Sequence, residues 1–261
     1  MDSVNKTLYI PLYGKAYVSR RGLFIRDQKA EEIWEKEGFP LKGKAKSKWL
    51  AYTMGMRAAV FDRWTAQKLK ENPDAVVLHI GCGLDARADR LEQKTAHWID
   101  IDFPEVIRER KQYFAEREAY TMLGADVRQE GWLEAVADAQ TAIVVMEGVS
   151  MYLQIPELQE LLKALGDRFR KVHLLMDTYT VFAAKATRYK NPVNTVGVTE
   201  VYGFDAPEEA IGMSKFRFAR EHDLTPDEMI GQLPKGERRF FKALFAGKTA
   251  KKIYRLYAYE T

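Results

Sequence analysis

The sequence predicts an open α/β sheet with helices on both faces, and three observations carry that prediction. First, Val76-Val77-Leu78-His79-Ile80 is a short apolar, β-branched run that stops at Gly81-Cys82-Gly83 and leads into a helix-like segment. A buried strand feeding a Gly-x-Gly turn brings backbone close to a ligand, because glycine has no Cβ to block the approach. The helix that follows aims its free amides at the same place. Second, strand-like and helix-like stretches alternate from Asn72-Pro73-Asp74 onward, which is the pattern of a parallel sheet. Third, Thr141 to Met146 is the most continuously apolar stretch and therefore the expected central strand.

Ahead of the sheet, residues 1–74 contain no convincing strand series and read as an N-terminal helical cap. Asp27 to Trp34 reads as a helix with an Asp N-cap and acidic residues in its first turns. Trp49 to Leu69 is a longer helical pattern, with Leu50, Met54, Ala58, Phe61 and Trp64 at helical spacing. Between them Leu41 to Lys48 forms a basic loop. It reads as solvated charge, with attraction of an anionic substrate as the sharper alternative.

Residues 75–261 complete a single structural unit. The expected order is a strand at Ala75 to Ile80, a helix around Asp85 to Glu92, and a strand at Ala96 to Ile101. A helix then runs from Pro104 to about Glu118, where proline suits the first turn. A strand at Tyr120 to Leu123, a short helix at Trp132 to Ala137 and the central strand follow. Pro156 opens an amphipathic helix with Leu158, Leu161, Leu162 and Leu165 on one face, and Val172 to Met176 is the next strand. There the alternation stops. Residues 178–213 form an irregular insertion, expected as a lid or acceptor pocket, in which Tyr189, Asn191, Asn194 and Tyr202 supply polar groups. Phe216 to Glu221 and Ile253 to Tyr259 alternate like strands on either side of a helix from Glu237 to Phe245.

Composition excludes several classes. With 46% hydrophobic and 30% charged residues over 261 positions, this is an ordinary globular chain and not a disordered one. A net charge of +4 is too small to argue for nucleic acid. Cys82 is the single cysteine, so no intramolecular disulfide forms. No apolar run reaches the length of a signal peptide or a membrane span. The expectation is a soluble, cytoplasmic protein with a small-molecule partner, no nucleic acid and no membrane, and with its oligomeric state open.

The glycine turn admits two cofactors. Gly81-Cys82-Gly83-Leu84-Asp85-Ala86 fits a loose dinucleotide fingerprint, with Asp100 and Asp102 near the distance of an acidic ribose ligand, so an NAD(P)-binding oxidoreductase is one reading. S-adenosylmethionine also has a ribose and an adenine but lacks the pyrophosphate. Three features favour it: the long helical lead-in, Asp126 just after the third strand, and the two C-terminal strand-like segments.

The residues Gly81-Cys82-Gly83-Leu84-Asp85-Ala86-Arg87, Asp100-Ile101-Asp102-Phe103-Pro104-Glu105-Val106-Ile107 and Glu147-Gly148-Val149-Ser150-Met151-Tyr152-Leu153 occur in this order. With Arg57 in Met56 to Asp62, they resemble the leucine carboxyl methyltransferase family, in particular its bacterial branch of O-methyltransferases from tetracenomycin-type polyketide synthesis. The resemblance runs from about Tyr9 to the C-terminus. It implies a class I S-adenosylmethionine-dependent methyltransferase fold, a Rossmann-like seven-stranded sheet whose last strand is antiparallel. It also implies that Gly81 and Gly83 back the methionine part of the cofactor and that Asp102, or less favourably Asp100, binds the ribose. Asp126 and the Val127 amide would bracket the adenine. Arg57, and more loosely Lys15, would pair with the cofactor carboxylate, and Glu147 would lie near its amino group and methyl donor.

The implied reaction is methyl transfer to a carboxylate or phenolic oxygen of a small, polyketide-like molecule. A carboxylate needs no base, whereas a phenol with a pKa near ~10 gains from one. Glu147 and Tyr152 are the catalytic candidates. Arg87 and Arg90 read as salt-bridged structural residues and His79 as a core histidine. His97, His173 and His222 show no ligand spacing with Cys82, so no metal is expected. A third reading is a non-catalytic relative that binds the cofactor or a partner only.

Overall fold

The computed structural model describes residues 8–39, 41, 43–91, 97–187 and 200–261. Its frame is a seven-stranded sheet built from β1 (Val76–Ile80), β2 (Trp98–Asp102), β3 (Tyr120–Gly124), β4 (Thr141–Met146), β5 (Lys171–Tyr179), β6 (Arg217–His222) and β7 (Tyr254–Glu260). The strand order is β3-β2-β1-β4-β5-β7-β6. The first five strands are parallel, and β7 runs antiparallel between β5 and β6. This is the expected seven-stranded sheet, with Thr141–Met146 at its centre.

Period-two alternation divides the strand side chains between two cores. Val77, Ile143, Val145 and Leu175 face one layer. There they meet Leu12 of α1 (Tyr9–Ser19), Ile33 of α2 (Gln28–Glu37), and Met56 and Phe61 of α3 (Lys48–Glu71). Val76, Leu78, Ile80, Val144 and Leu174 face the other layer, against Leu158, Leu161, Leu162 and Leu165 of α6 (Ile155–Arg168). The N-terminal helices therefore share a core with the sheet, and α3 packs along β4 and β5. No helix among the described residues is long and apolar enough to cross a membrane.

Local signals start these elements where the sequence suggests. The Asp27 carboxylate accepts from the Ala30 amide at 2.8 Å and starts α2. Ser47 caps α3 through the Trp49 amide, and Gln154 with Glu157 forms a capping box at α6.

Three expectations need correction. The helix after the glycine turn is only α4 (Arg87–Arg90), because Asp85 and Ala86 remain in the turn and Asp85 bonds back to the Cys82 carbonyl. The helix from Pro104 stops at Arg110 as α5 (Pro104–Arg110) instead of reaching Glu118. Past it Phe114 turns into the core, where the Arg110 guanidinium lies 4.0 Å from its ring centroid. Trp132 to Ala137 is a 3-10 turn over Trp132–Ala135. α1, which no sequence signal marked, lies ahead of all of these. In the insertion, β5 runs on to Tyr179 and α7 (Val181–Ala186) follows. Tyr189, Asn191 and Asn194 lie outside the described residues.

Candidate active site

Strand register brings the site together. Ile80 is level with Ile101 on one side and Met146 on the other, so Gly81, Asp102 and Glu147 leave neighbouring strand ends side by side. This is the crevice where open α/β sheets bind ligands, with β1 at the switch of strand order. A cleft of about 560 Å³ opens there, within the range of small-ligand pockets. Lys15, Arg57, Gly81, Gly83, Asp102, Asp126, Val127, Glu147 and Tyr152 all line it. The side facing α1 and α3 is apolar, lined by Leu8, Ile10, Leu12, Leu50, Met54 and Met151.

Asp100 and Asp102 lie on the same strand but have different surroundings. Asp100 is fully buried and points away from the cleft to Arg110, the Tyr120 hydroxyl (2.6 Å), the Trp98 indole N–H (2.9 Å) and His79 Nδ1 (2.9 Å). Burial alone would raise its pKa, but Arg110 and these bonds lower it to about 2. The second-choice ribose ligand is thus a structural anion. Asp102 ends β2 inside the cleft, where its two oxygens accept from the Gly83 and Phe103 amides at 2.8 Å each. Burial pushes its pKa up to about 6 against those bonds.

Because Asp100 holds four donors, Asp100→Asn is expected to lose about 1.5–3 kcal/mol in urea unfolding. Its folded pKa is depressed, so its contribution is present above the unfolded value near ~4 and disappears as pH falls through about 2. A wild-type stability flat between pH 5 and 2 would contradict this placement.

Around Glu147 lies a buried cluster of charges. Arg57, from the middle of α3, donates through Nε to Glu147 at 3.0 Å and through Nη1 to Asp177 at 2.9 Å and the Tyr254 hydroxyl at 2.6 Å. Tyr254 in turn donates to Asp177 at 2.6 Å, and Asp177 accepts from the Gly148 amide at 2.7 Å. Arg87 bonds the other Glu147 oxygen and reaches Asp62 at 2.7 Å. Arg90 joins Asp62, Asp85 and Asp27. Lys15 of α1 sits 2.9 Å from Asp85 and 3.8 Å from Glu147. Arg87 and Arg90 are thus salt-bridged, and His79 is a core histidine kept neutral by burial.

Burial would raise the Glu147 pKa, but Lys15, Arg57 and Arg87 overcome this and hold it well below the usual carboxylate range. A carboxylate held so firmly in its ionised form is a poor proton acceptor. Four cations (Lys15, Arg57, Arg87, Arg90) face five carboxylates (Asp27, Asp62, Asp85, Glu147, Asp177). The cluster therefore has one negative charge in excess when all are ionised.

Asp126 pairs with Arg128, Nε to Oδ1 at 2.9 Å, and that bond lowers its pKa. Tyr152 is half-buried on a 3-10 turn that lines the cleft. Tyr202 is not among the lining residues; its amide is spent on the Met151 carbonyl at 2.8 Å, and Tyr179 and Tyr254 stand at the cleft in its place. Sequence reasoning misses Asp177 and Tyr254 as site residues, and names Asp85 only within the glycine-turn motif, without a role. Of the first two, Asp177 alone leaves a trace, as an acid ending the apolar run Leu174-Leu175-Met176.

The leucine carboxyl methyltransferase family profile matches residues 7–166. The chain is 31% identical over 209 residues to the tetracenomycin polyketide synthesis O-methyltransferase TcmP of Streptomyces glaucescens, covering 79% of this chain and 77% of TcmP. It is also 31% identical over 136 residues to the S-adenosyl-L-methionine-dependent methyltransferase dpfgK of Gibberella zeae, covering 49% and 46% of the two chains. Magnesium protoporphyrin IX methyltransferase from Synechocystis PCC 6803, solved with bound SAH, has the same fold at a TM-score of 0.51 and 13% identity, over 89% of this chain and 92% of that one.

Proposed function

The chain belongs to the leucine carboxyl methyltransferase family, whose members are S-adenosylmethionine-dependent methyltransferases, and on that premise we propose that it methylates an oxygen of a small, polyketide-like acceptor. The observation that carries the cofactor assignment is the charge of the cleft lining, where Asp85, Asp102, Glu105, Asp126 and Glu147 outnumber Lys15, Arg57 and Arg128. S-adenosylmethionine brings a sulfonium, an ammonium and one carboxylate, a net positive charge that complements this acidic lining. A dinucleotide would bring a pyrophosphate among Asp85, Asp102 and Glu147, where like charges repel. The donor set fits the proposed cofactor on this ground.

Each residue then has a defined task. Lys15 and Arg57 bind the methionine carboxylate, and Glu147 accepts from the ammonium. Gly81 and Gly83 let the chain pass close by. Asp102 accepts from the ribose hydroxyls, while Asp126 and the Val127 amide hold the adenine. The cofactor supplies a methyl group already activated by the sulfonium, so the protein mainly aligns the acceptor and excludes water. The apolar wall from α1 and α3 does the second task, helped by Tyr179 and Tyr254 at the cleft. Glu147, held ionised, acts as a ligand and not as a base. Tyr152 is the residue we place against the acceptor oxygen.

Two measurements test this reading. Calorimetric titration should detect S-adenosylmethionine and not NAD; binding of NAD alone would sink it. Methyl transfer to a panel of aromatic phenols and carboxylates should then identify the acceptor oxygen, and cofactor binding without any turnover would favour a non-catalytic relative.

A pH profile tests Asp102. The ribose hydroxyls donate to its ionised form, so the dissociation constant should be flat above pH 6 and rise about tenfold per unit below it. Asp102→Asn should bind weakly at every pH and lose the inflection. A wild-type profile flat down to pH 5 would remove Asp102 from the ribose site.

A further inference from the structure

The positive charge of this chain is gathered at one place on its surface. Residues 235–252 hold seven Lys and Arg against one Glu, six net positive charges where the whole chain has four. They form α9 (Lys235–Phe245) and α10 (Gly247–Lys251). Phe241 of α9 turns into the core, and Phe245 stacks on Trp49 at 5.8 Å between ring centroids. The outer face carries Phe240 and Leu244, one turn apart and 46% and 49% exposed. Phe240 packs on half-buried Trp49 at 4.7 Å, and Ile253, just past α10, is 46% exposed. The basic loop singled out in the sequence borders this face, where Lys48 reaches Glu237 at 2.9 Å.

Isolated exposed hydrophobes are ordinary, whereas an apolar group ringed by cations is not. Lys242 and Lys251 have acidic partners at Asp227 and Glu221. Among the described residues, no carboxylate lies within ion-pair distance of Lys44, Lys46, Lys235, Arg239, Lys248 or Lys252. A second copy of the chain is a poor occupant, because two such faces would oppose like charges. The apolar side chains project from the outside of a helix and not into the cleft. A short amphipathic helix with Phe and Leu outward, a Trp at its flank and Lys and Arg around them fits the interface of an anionic bilayer.

We propose that the α9–α10 face, with Trp49 and the loop at residues 43–48, seats the protein on an anionic lipid surface. Such a seat needs no spanning segment, the feature on which the expectation of no membrane rests. Leu50 and Met54, beside and about one turn beyond Trp49 on α3, line the cleft. An apolar acceptor dissolved in the bilayer would thus enter next to the seated face; this last point rests on the proposed function, whereas the surface binding does not.

Co-sedimentation of the full chain with vesicles tests the proposal. Vesicles of phosphatidylcholine with roughly one-third phosphatidylglycerol should bind at least about tenfold more protein than phosphatidylcholine alone, and about 0.5 M salt should release it. The pair Phe240→Ser/Leu244→Ser and the pair Lys235→Glu/Arg239→Glu should each lose about tenfold in binding at low salt. Both pairs lie outside the cleft, so an unchanged affinity for S-adenosylmethionine would report intact folding. Equal binding to neutral vesicles, no binding to either, or wild-type binding by both variants would overturn the proposal. Capture by a soluble acidic polypeptide without vesicle binding would also overturn it, and would point to an acidic protein surface. Failure of cofactor binding with vesicle binding intact would count against the proposed function alone.

Discussion

Arg57→Met should lower stability by about 3–5 kcal/mol and weaken S-adenosylmethionine binding by about two orders of magnitude or more. The side chain it replaces is buried, and its guanidinium joins Glu147, Asp177 and Tyr254. Methionine fills similar space without charge or donors, so two buried carboxylates lose their shared cation. Burial already raises the Asp177 pKa against the pull of Arg57. Without that pull it rises further, so the variant's deficit should shrink as pH falls and Asp177 takes up a proton. Urea unfolding at pH 7 and pH 5 reads this term. Arg57→Lys keeps the charge but not the planar fork, and should recover more stability than affinity. A folded Arg57→Met variant with wild-type cofactor affinity would remove Arg57 from the site.

The cluster also shows which parts of the site a sequence can carry. Gly81, Asp102 and Glu147 were legible because each ends a strand, and parallel register sets those ends level. Asp100 and Asp102 could not be separated by spacing, since residues two apart on a strand share a face. What divides them is Arg110 and Tyr120, which cover one and stop short of the other. The partners of Arg57 come from 120 and 197 positions away, and no local pattern encodes such a meeting. α1 carries no local signal of its own. Tyr9 to Ser19 contains Pro11 and Gly14 and is apolar on most sides, so it shows no polar face to reveal a period. Only the family resemblance pointed to Lys15 within it. The end of α5 at Arg110 was hidden too, because Lys111 to Glu118 is rich in good helix formers and the burial of Phe114 overrides them.

Gly81→Ala should damage the site most at the smallest chemical cost. Gly81 sits at φ +69°, where an L-residue bears roughly 1–2 kcal/mol of backbone strain. A Cβ there would also lie 2.2 Å from Val149 Cγ2. Valine is stiff at χ1 and cannot swing its methyl aside cheaply, so overpacking adds about 1–3 kcal/mol. Together these predict a fall in melting temperature of roughly 10 °C. The functional loss should exceed what stability explains. Relief of the clash must move either Val149, beside Glu147, or the turn whose Gly83 amide fixes Asp102. Cofactor affinity should therefore fall at least about 100-fold at a temperature where the variant is still folded. Val149→Ala added to Gly81→Ala separates the two contributions. It removes the clashing methyl and should restore part of the melting temperature, while the positive φ leaves the rest of the deficit in place. If the double variant regains full stability, the strain is steric only; if Gly81→Ala alone binds cofactor like the wild type, the close approach of backbone to ligand at this turn is refuted.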